Sequence, residues 1–337
     1  MITLSVLDQS PIRHGGTPAQ AIAETIELAQ FTERLGYHRY WVAEHHSSEG
    51  LAGAAPEILV ARLAGATSSM RIGTGGVMLS HYSPLKVAEQ FRMLETLYPG
   101  RIDLGIGRAP GSDYVTARAL AHGPGALDIK EFPNQIRDLL AYLRDQMPDG
   151  HPFAGISAQP RGADVPEPWL LGSSDQSAMY AAYFGCAFSF AHFITDRHGP
   201  EIMAAYREQF RPSIWMEKPI GSIGVAVICA ETDAEADRLC KSRDLSRLRM
   251  EQGILGPVPS VEEAEAYDYS FQEKQRVASN RQRQVIGSPA TCKAQIEELS
   301  ARYGIDEMVI VTITYDFAAR LKSYELLARA FDLTPPA

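Results

Sequence analysis

Cysteine is scarce in this chain. Its four, Cys186, Cys229, Cys240 and Cys292, lie far apart with no paired spacing. That excludes a zinc-ligand pattern and a disulfide framework, and free thiols in a reducing cytoplasm are expected. Lysine is also rare, with seven in 337 residues, and a net charge of −9 leaves no general attraction for nucleic acid or an anionic membrane. No apolar run reaches membrane-spanning length, and the N-terminus enters a predicted strand rather than a signal-peptide pattern. Internal repeats, linkers and low-complexity tracts are missing, so nothing divides the chain. What it does have is apolar material, 45 % of residues, enough for one large core. α/β barrels of this length fold as single domains.

Short β-forming runs alternate with helical periodicity. Strands are expected at residues 2–7, 40–43, 72–78, 102–106, 169–171, 186–190, 223–229 and 308–313, with helices between them. Regular alternation implies parallel strands with right-handed crossovers, and eight of them make a (β/α)₈ barrel, the TIM-barrel class of α/β fold. Two insertions break the rhythm. One follows the fourth strand (108–168), with a Pro- and Gly-bearing segment expected to cap the barrel. The other, polar and at about 251–288 between strands seven and eight, is expected to form a mobile lid. The whole chain, 1–337, reads as one domain.

In a parallel barrel ligands meet the carboxyl ends of the strands. Glu44-His45-His46 sits at the second such end. Alternation sends neighbouring side chains to opposite faces, so the two imidazoles do not easily share a metal, and no further ligand set accompanies them. They suit a general base or an orienting hydrogen bond, although histidines capping the core would look the same. Thr74-Gly75-Gly76-Val77 places a glycine pair inside the third strand, as a bulge or a flat wall for a planar ring. Met78, like Phe190 and Phe193, serves a pocket or the core equally well. Gly105-Ile106-Gly107-Arg108-Ala109-Pro110-Gly111 ends strand four with an arginine suited to an anion or simply to solvent. Leu171-Gly172-Ser173-Ser174-Asp175-Gln176-Ser177 opens a helix with free N–H groups and hydroxyls, as a phosphate cradle or an ordinary cap. His192, after strand six, is read as lining the pocket.

Taken in this order, these motifs resemble the bacterial luciferase-like flavin monooxygenases over essentially the whole chain, with Ile286-Gly287-Ser288-Pro289 adding to the likeness. The resemblance implies a TIM barrel that takes FMN as FMNH₂ from a separate flavin reductase, adds O₂ at C4a and oxygenates a small organic substrate through the peroxyflavin. It assigns the catalytic base to His45, flanked by Glu44 and His46. It sets the isoalloxazine against Gly75, Gly76 and Met78, where many members carry a non-prolyl cis peptide, and the flavin phosphate against Arg108, Ser173, Ser174 and Ser177. It also implies a homodimer. Gly107 stands where luciferase has a reactive thiol, and Ser47-Ser48 replaces a more apolar continuation, so light emission and aldehyde oxidation are not implied. A natural product such as an aromatic polyketide is the preferred substrate class. The competing expectations are hydride transfer with the deazaflavin F420 and a catalytically silent flavin-binding subunit.

Overall fold

The computed structural model of the protein describes residues 2–109, 111–121, 129–162 and 164–335. Strand and helix alternate from the start: β1 (Thr3–Asp8), α1 (Pro18–Arg34), β2 (Arg39–Val42), α2 (Pro56–Ala64), β3 (Arg71–Thr74), β4 (Val77–Met78), α3 (Pro84–Leu97) and β5 (Ile102–Gly107). Then come α4 (Tyr114–Leu120), α5 (Phe132–Arg144), β6 (Glu167–Gly172), α6 (Asp175–Phe184), β7 (Ala187–Phe190), α7 (Gly199–Gln209), β8 (Gly221–Cys229) and α8 (Asp233–Glu251). The chain ends with α9 (Val261–Ala266), α10 (Phe271–Arg281), β9 (Gln284–Gly287), α11 (Pro289–Tyr303), β10 (Glu307–Val311) and α12 (Phe317–Ala330).

The order β10-β1-β2-β3-β5-β6-β7-β8 closes on itself, because β10 also pairs with β8, and the pairings are parallel. This is the expected eight-stranded TIM barrel. The third predicted strand, 72–78, is broken into β3 and β4, since the Gly75–Gly76 peptide is cis. The late insertion folds into α9, α10 and β9, and β9 pairs with Ala226 to Cys229 of β8. Ion pairs tie it to α8: Arg249 to Glu263 at 2.8 Å, Arg276 to Glu251 at 2.6 Å and Arg281 to Asp244 at 2.6 Å. The Pro- and Gly-bearing segment after α5 lies at the amino-terminal end of the strands, where Arg92 of α3 bonds to Ala158 O (2.6 Å) and Asp145 (2.8 Å).

Alternation along the strands divides the core in two. Leu4, Val6, Tyr40 and Val42 pack outward under the helices, whereas Leu7, Trp41, Trp169, Ala226 and Val309 form a second cluster on the barrel axis. Below that cluster the interior is charged. Asp103, fully buried, accepts from Arg39 (2.7 Å), from Arg71 Nε (2.8 Å) and from Trp41 Nε1 (2.8 Å). Arg39 also bonds Glu307 at 2.7 Å, and its guanidinium lies 4.7 Å from the Trp169 ring. Burial alone would raise the Asp103 pKa, but Arg39 and Arg71 override it and hold the carboxyl below its ordinary 3.8. A depressed carboxylate contributes stability that is fully present above that ordinary value and is lost as pH falls through the native one. Asp103→Asn is therefore expected to cost about 3–5 kcal/mol at neutral pH and to flatten the acid limb of stability below about pH 4. Urea titrations across pH check this; an unchanged acid limb would place the acid sensitivity elsewhere.

Candidate active site

The carboxyl ends of β2, β4, β5 and β6 bring together the residues singled out above. Continuing past Val42, the row of inward side chains Trp41 and Ala43 leads to His45, and Glu44 turns to the opposite side. The His45 backbone is held by an N–H to Gly53 O at 2.8 Å. Its Nδ1 is buried with no hydrogen-bond partner. Burial, and next the neighbouring His46, draw its pKa down to about 4. A neutral imidazole with an unused polar atom is a group prepared to accept a hydrogen bond or a proton from something else.

Glu44 has no exposure to solvent. One of its oxygens accepts from Met78 N at 2.8 Å. The other lies 2.6 Å from both the Tyr82 hydroxyl and His46 Nε2. Tyr82 escaped the sequence reading because an aromatic between a turn and a proline carries no distinctive signal.

The glycines are dictated by close approach. A Cβ on Gly75 would lie 2.6 Å from Leu7 Cδ1, and one on Gly76 would lie 2.6 Å from Gly105 O. The wall here is bare backbone, with the Met78 side chain lying over Gly107. Across it, Arg108 after β5 donates to Gln176 Oε1 in the first turn of α6. Ser174 caps that helix by accepting from Ser177 N at 3.5 Å, and the two hydroxyl oxygens are 3.4 Å apart. Ser173 is part-buried just before the cap. An arginine and two serine hydroxyls at an open helix start form an anion-binding set of the kind phosphates use. Gln176 was inside the quoted motif yet not singled out; its link to Arg108 is visible only in three dimensions. Pro110 of the strand-four motif lies outside the described residues.

His192 does not line this mouth. The strand ladder continues one residue past β7, with Ala191 N–H bonded to Gly172 O, so the alternation that faces Phe188 and Phe190 outward carries His192 to the same side. The imidazole therefore packs outward against α11, with Nδ1 2.8 Å from the Tyr303 hydroxyl, and Phe193 packs against the axial cluster. Phe190 is fully buried core. The four cysteines are buried free thiols remote from this chemistry.

The model of the luciferase-like monooxygenases matches residues 2–307. The chain belongs to that family. This luciferase-like monooxygenase is 38 % identical over 335 residues to N-acetyl-S-alkylcysteine monooxygenase of Bacillus subtilis (strain 168), covering 98 % of each chain. The crystal structure of apo-MsnO8 superposes with a TM-score of 0.89 at 40 % identity over 100 % of both chains. The FMN complex of the oxygenating constituent of 3,6-diketocamphane monooxygenase from Pseudomonas putida superposes with a TM-score of 0.71 over 100 % of both chains. At 20 % identity that is a likeness of fold alone.

Burial of His45 makes a testable statement. In imidazole ¹⁵N spectra its signals are expected to keep neutral positions down to about pH 5 and to move only toward pH 4. An imidazolium pattern at about pH 6 would show that the buried environment does not govern this ring.

Proposed function

We propose that this family member is the oxygenase of a two-component system, taking FMNH₂ from a separate flavin reductase and using O₂ to oxygenate a small organic substrate. The observation that carries the reading is the convergence at one mouth of an unpartnered, neutral His45, a bare-backbone wall at Gly75 and Gly76, and the Arg108–α6 anion set. The orphaned His45 nitrogen and the cationic and hydroxyl donors fit a phosphorylated planar cofactor. Reduced flavin, when bound, supplies the electrons with which O₂ becomes able to donate an oxygen atom.

The residues divide the remaining work. Arg108, Ser174, Ser177 and the first N–H groups of α6, with Ser173 beside them, hold the phosphate. Gly75, Gly76 and Met78 form the bed for the ring. His45 accepts a proton at the reacting centre, as only an uncharged imidazole can. A natural product such as an aromatic polyketide is the substrate class proposed, and N-acetyl-S-alkylcysteines, named for the Bacillus relative, belong in the same screen. Exposed Ile58 on α2 with Met93 and Leu97 on α3 supports a homodimer through that face. The setting proposed is the reducing cytoplasm.

Two variants test the assignment. Arg108→Met is expected to weaken FMN at least tenfold, the loss of a charge-assisted hydrogen bond worth about 1.5–3 kcal/mol, and to leave riboflavin unaffected. Equal losses for both flavins would remove Arg108 from the phosphate. His45→Ala is expected to bind FMN normally while substrate oxygenation falls on the order of 10²-fold. Unchanged product formation would remove His45 as the base, and a preference for F420 over FMN would replace the monooxygenase reading.

A further inference from the structure

His45 and His46 are adjacent in sequence but occupy opposite environments. His45 has no partner at Nδ1, whereas His46 Nε2 lies 2.6 Å from a carboxylate with zero exposure. Among the described residues that carboxylate, Glu44, is approached only by groups able to donate. The Met78 N–H has no alternative role, being a backbone donor at 2.8 Å. The Tyr82 phenol, at 2.6 Å, is pushed far above its ordinary range, first by burial and then by the bond to Glu44, so it remains O–H and donates. With those two donors satisfying the anion, the hydrogen atom between Glu44 and His46 belongs to the ring. Among the described residues His46 Nδ1 has no hydrogen-bond partner.

We propose that Tyr82 and Glu44 are positioning residues that fix His46 as the Nε2–H tautomer, presenting the Nδ1 lone pair as a second proton-exchanging group beside His45. This rests on the reading of the mouth as a monooxygenase site and adds to it a role for a tyrosine that no motif marks. The step is simple to balance. A proton arriving at His46 Nδ1 makes an imidazolium whose charge faces the Glu44 carboxylate, and the same Nδ1 later returns that proton to water. The carboxylate itself neither gains nor loses one.

The groups facing His46 are few. Glu44 comes from its own chain end and His45 precedes it. From the turn after β4 come Tyr82 and His81, the latter with its ring 6.1 Å away and edge-on. Behind Tyr82 stands Glu57 of α2, whose charge adds to that of Glu44 in keeping the phenol protonated. The His46 backbone is fixed separately, by its N–H to Gly111 O at 3.1 Å. Backbone position and ring tautomer are thus set by different contacts, and the second can be altered without the first.

The experiment is long-range ¹H–¹⁵N spectroscopy of histidine-labelled protein without flavin, the His46 signals being assigned by their loss in His46→Gln. In the unsubstituted protein the neutral ring is expected to carry its proton on Nε2. Tyr82→Phe withdraws one donor from Glu44 and leaves Nε2–H to serve that oxygen alone, so the proton should stay on Nε2 and its ¹H signal should move downfield as the bond strengthens. Glu44→Gln, whose amide can either donate or accept, should give a mixture of tautomers. Both variants should lower kcat at least tenfold with little change in KM for FMNH₂, a split that a loosened scaffold would not produce. A proton on Nδ1 in the unsubstituted protein overturns the proposal, as does an Nε2–H signal indifferent to both substitutions. The first of these needs neither Tyr82→Phe nor Glu44→Gln to fold. Should the tautomer be as stated while FMN fails to bind, the monooxygenase reading falls alone; should FMN bind and the Nε2 proton be missing, only this inference falls.

Discussion

Asp103 is a carboxylate taken wholly out of water inside a barrel, and it survives there only because Arg39, Arg71 and the Trp41 indole all donate to it. Those donors come from β2 and β3, the acceptor from β5, and Arg39 reaches on to Glu307 of β10. Four strands are therefore fixed relative to each other by directional bonds, at the level where alternation has run out of apolar side chains. The two tryptophans lie directly above, 5.0 Å apart and edge to face. They separate the charged floor from the mouth.

A rigid floor makes close contacts higher up affordable. The strands at β3, β4 and β5 approach so tightly that a Cβ on Gly105 would sit 1.9 Å from Thr74 O. In that crowded region side chains are replaced by backbone, and the flat wall of the mouth is the result. His45 and Arg108 sit one or two residues beyond the last strand bonds, where the chain is still aligned by the sheet yet open to a ligand. Position in the mouth follows from strand register, and reactivity follows from burial.

The parts legible in the sequence were those enforced locally. Strand periodicity located all eight barrel strands, the glycine pair marked the break between β3 and β4, and Ser174 announced the start of α6 by its capping chemistry. What stayed hidden depends on who meets whom. Glu44 and Tyr82 are 38 residues apart, and Arg108 and Gln176 are 68 apart, so no window of sequence contains either pair. His192 looked like a mouth residue because it follows a barrel strand, but the alternation that buries Phe188 and Phe190 under the helices carries it to the same outer side. The polar composition of 251–288 suggested a mobile lid, and no window of sequence shows that its charges are complementary to those of α8 and hold helices there.

That mode of attachment gives one helix of the insertion a different footing from the barrel. α10 buries no large apolar side chain, and Asn280 is its one buried residue. Its contacts with α8 are guanidinium–carboxylate pairs, which weaken as ionic strength rises, unlike the apolar barrel core. Ionic strength therefore bears on α10 more than on the barrel, while β9 of the same insertion is held by its ladder to β8. Its end is still stitched to the mouth, since Val258 pairs with Ile12 and His14 in the loop after β1. The helix held by charge is thereby flanked by two anchors held by backbone bonds, Val258 on one side and β9 on the other.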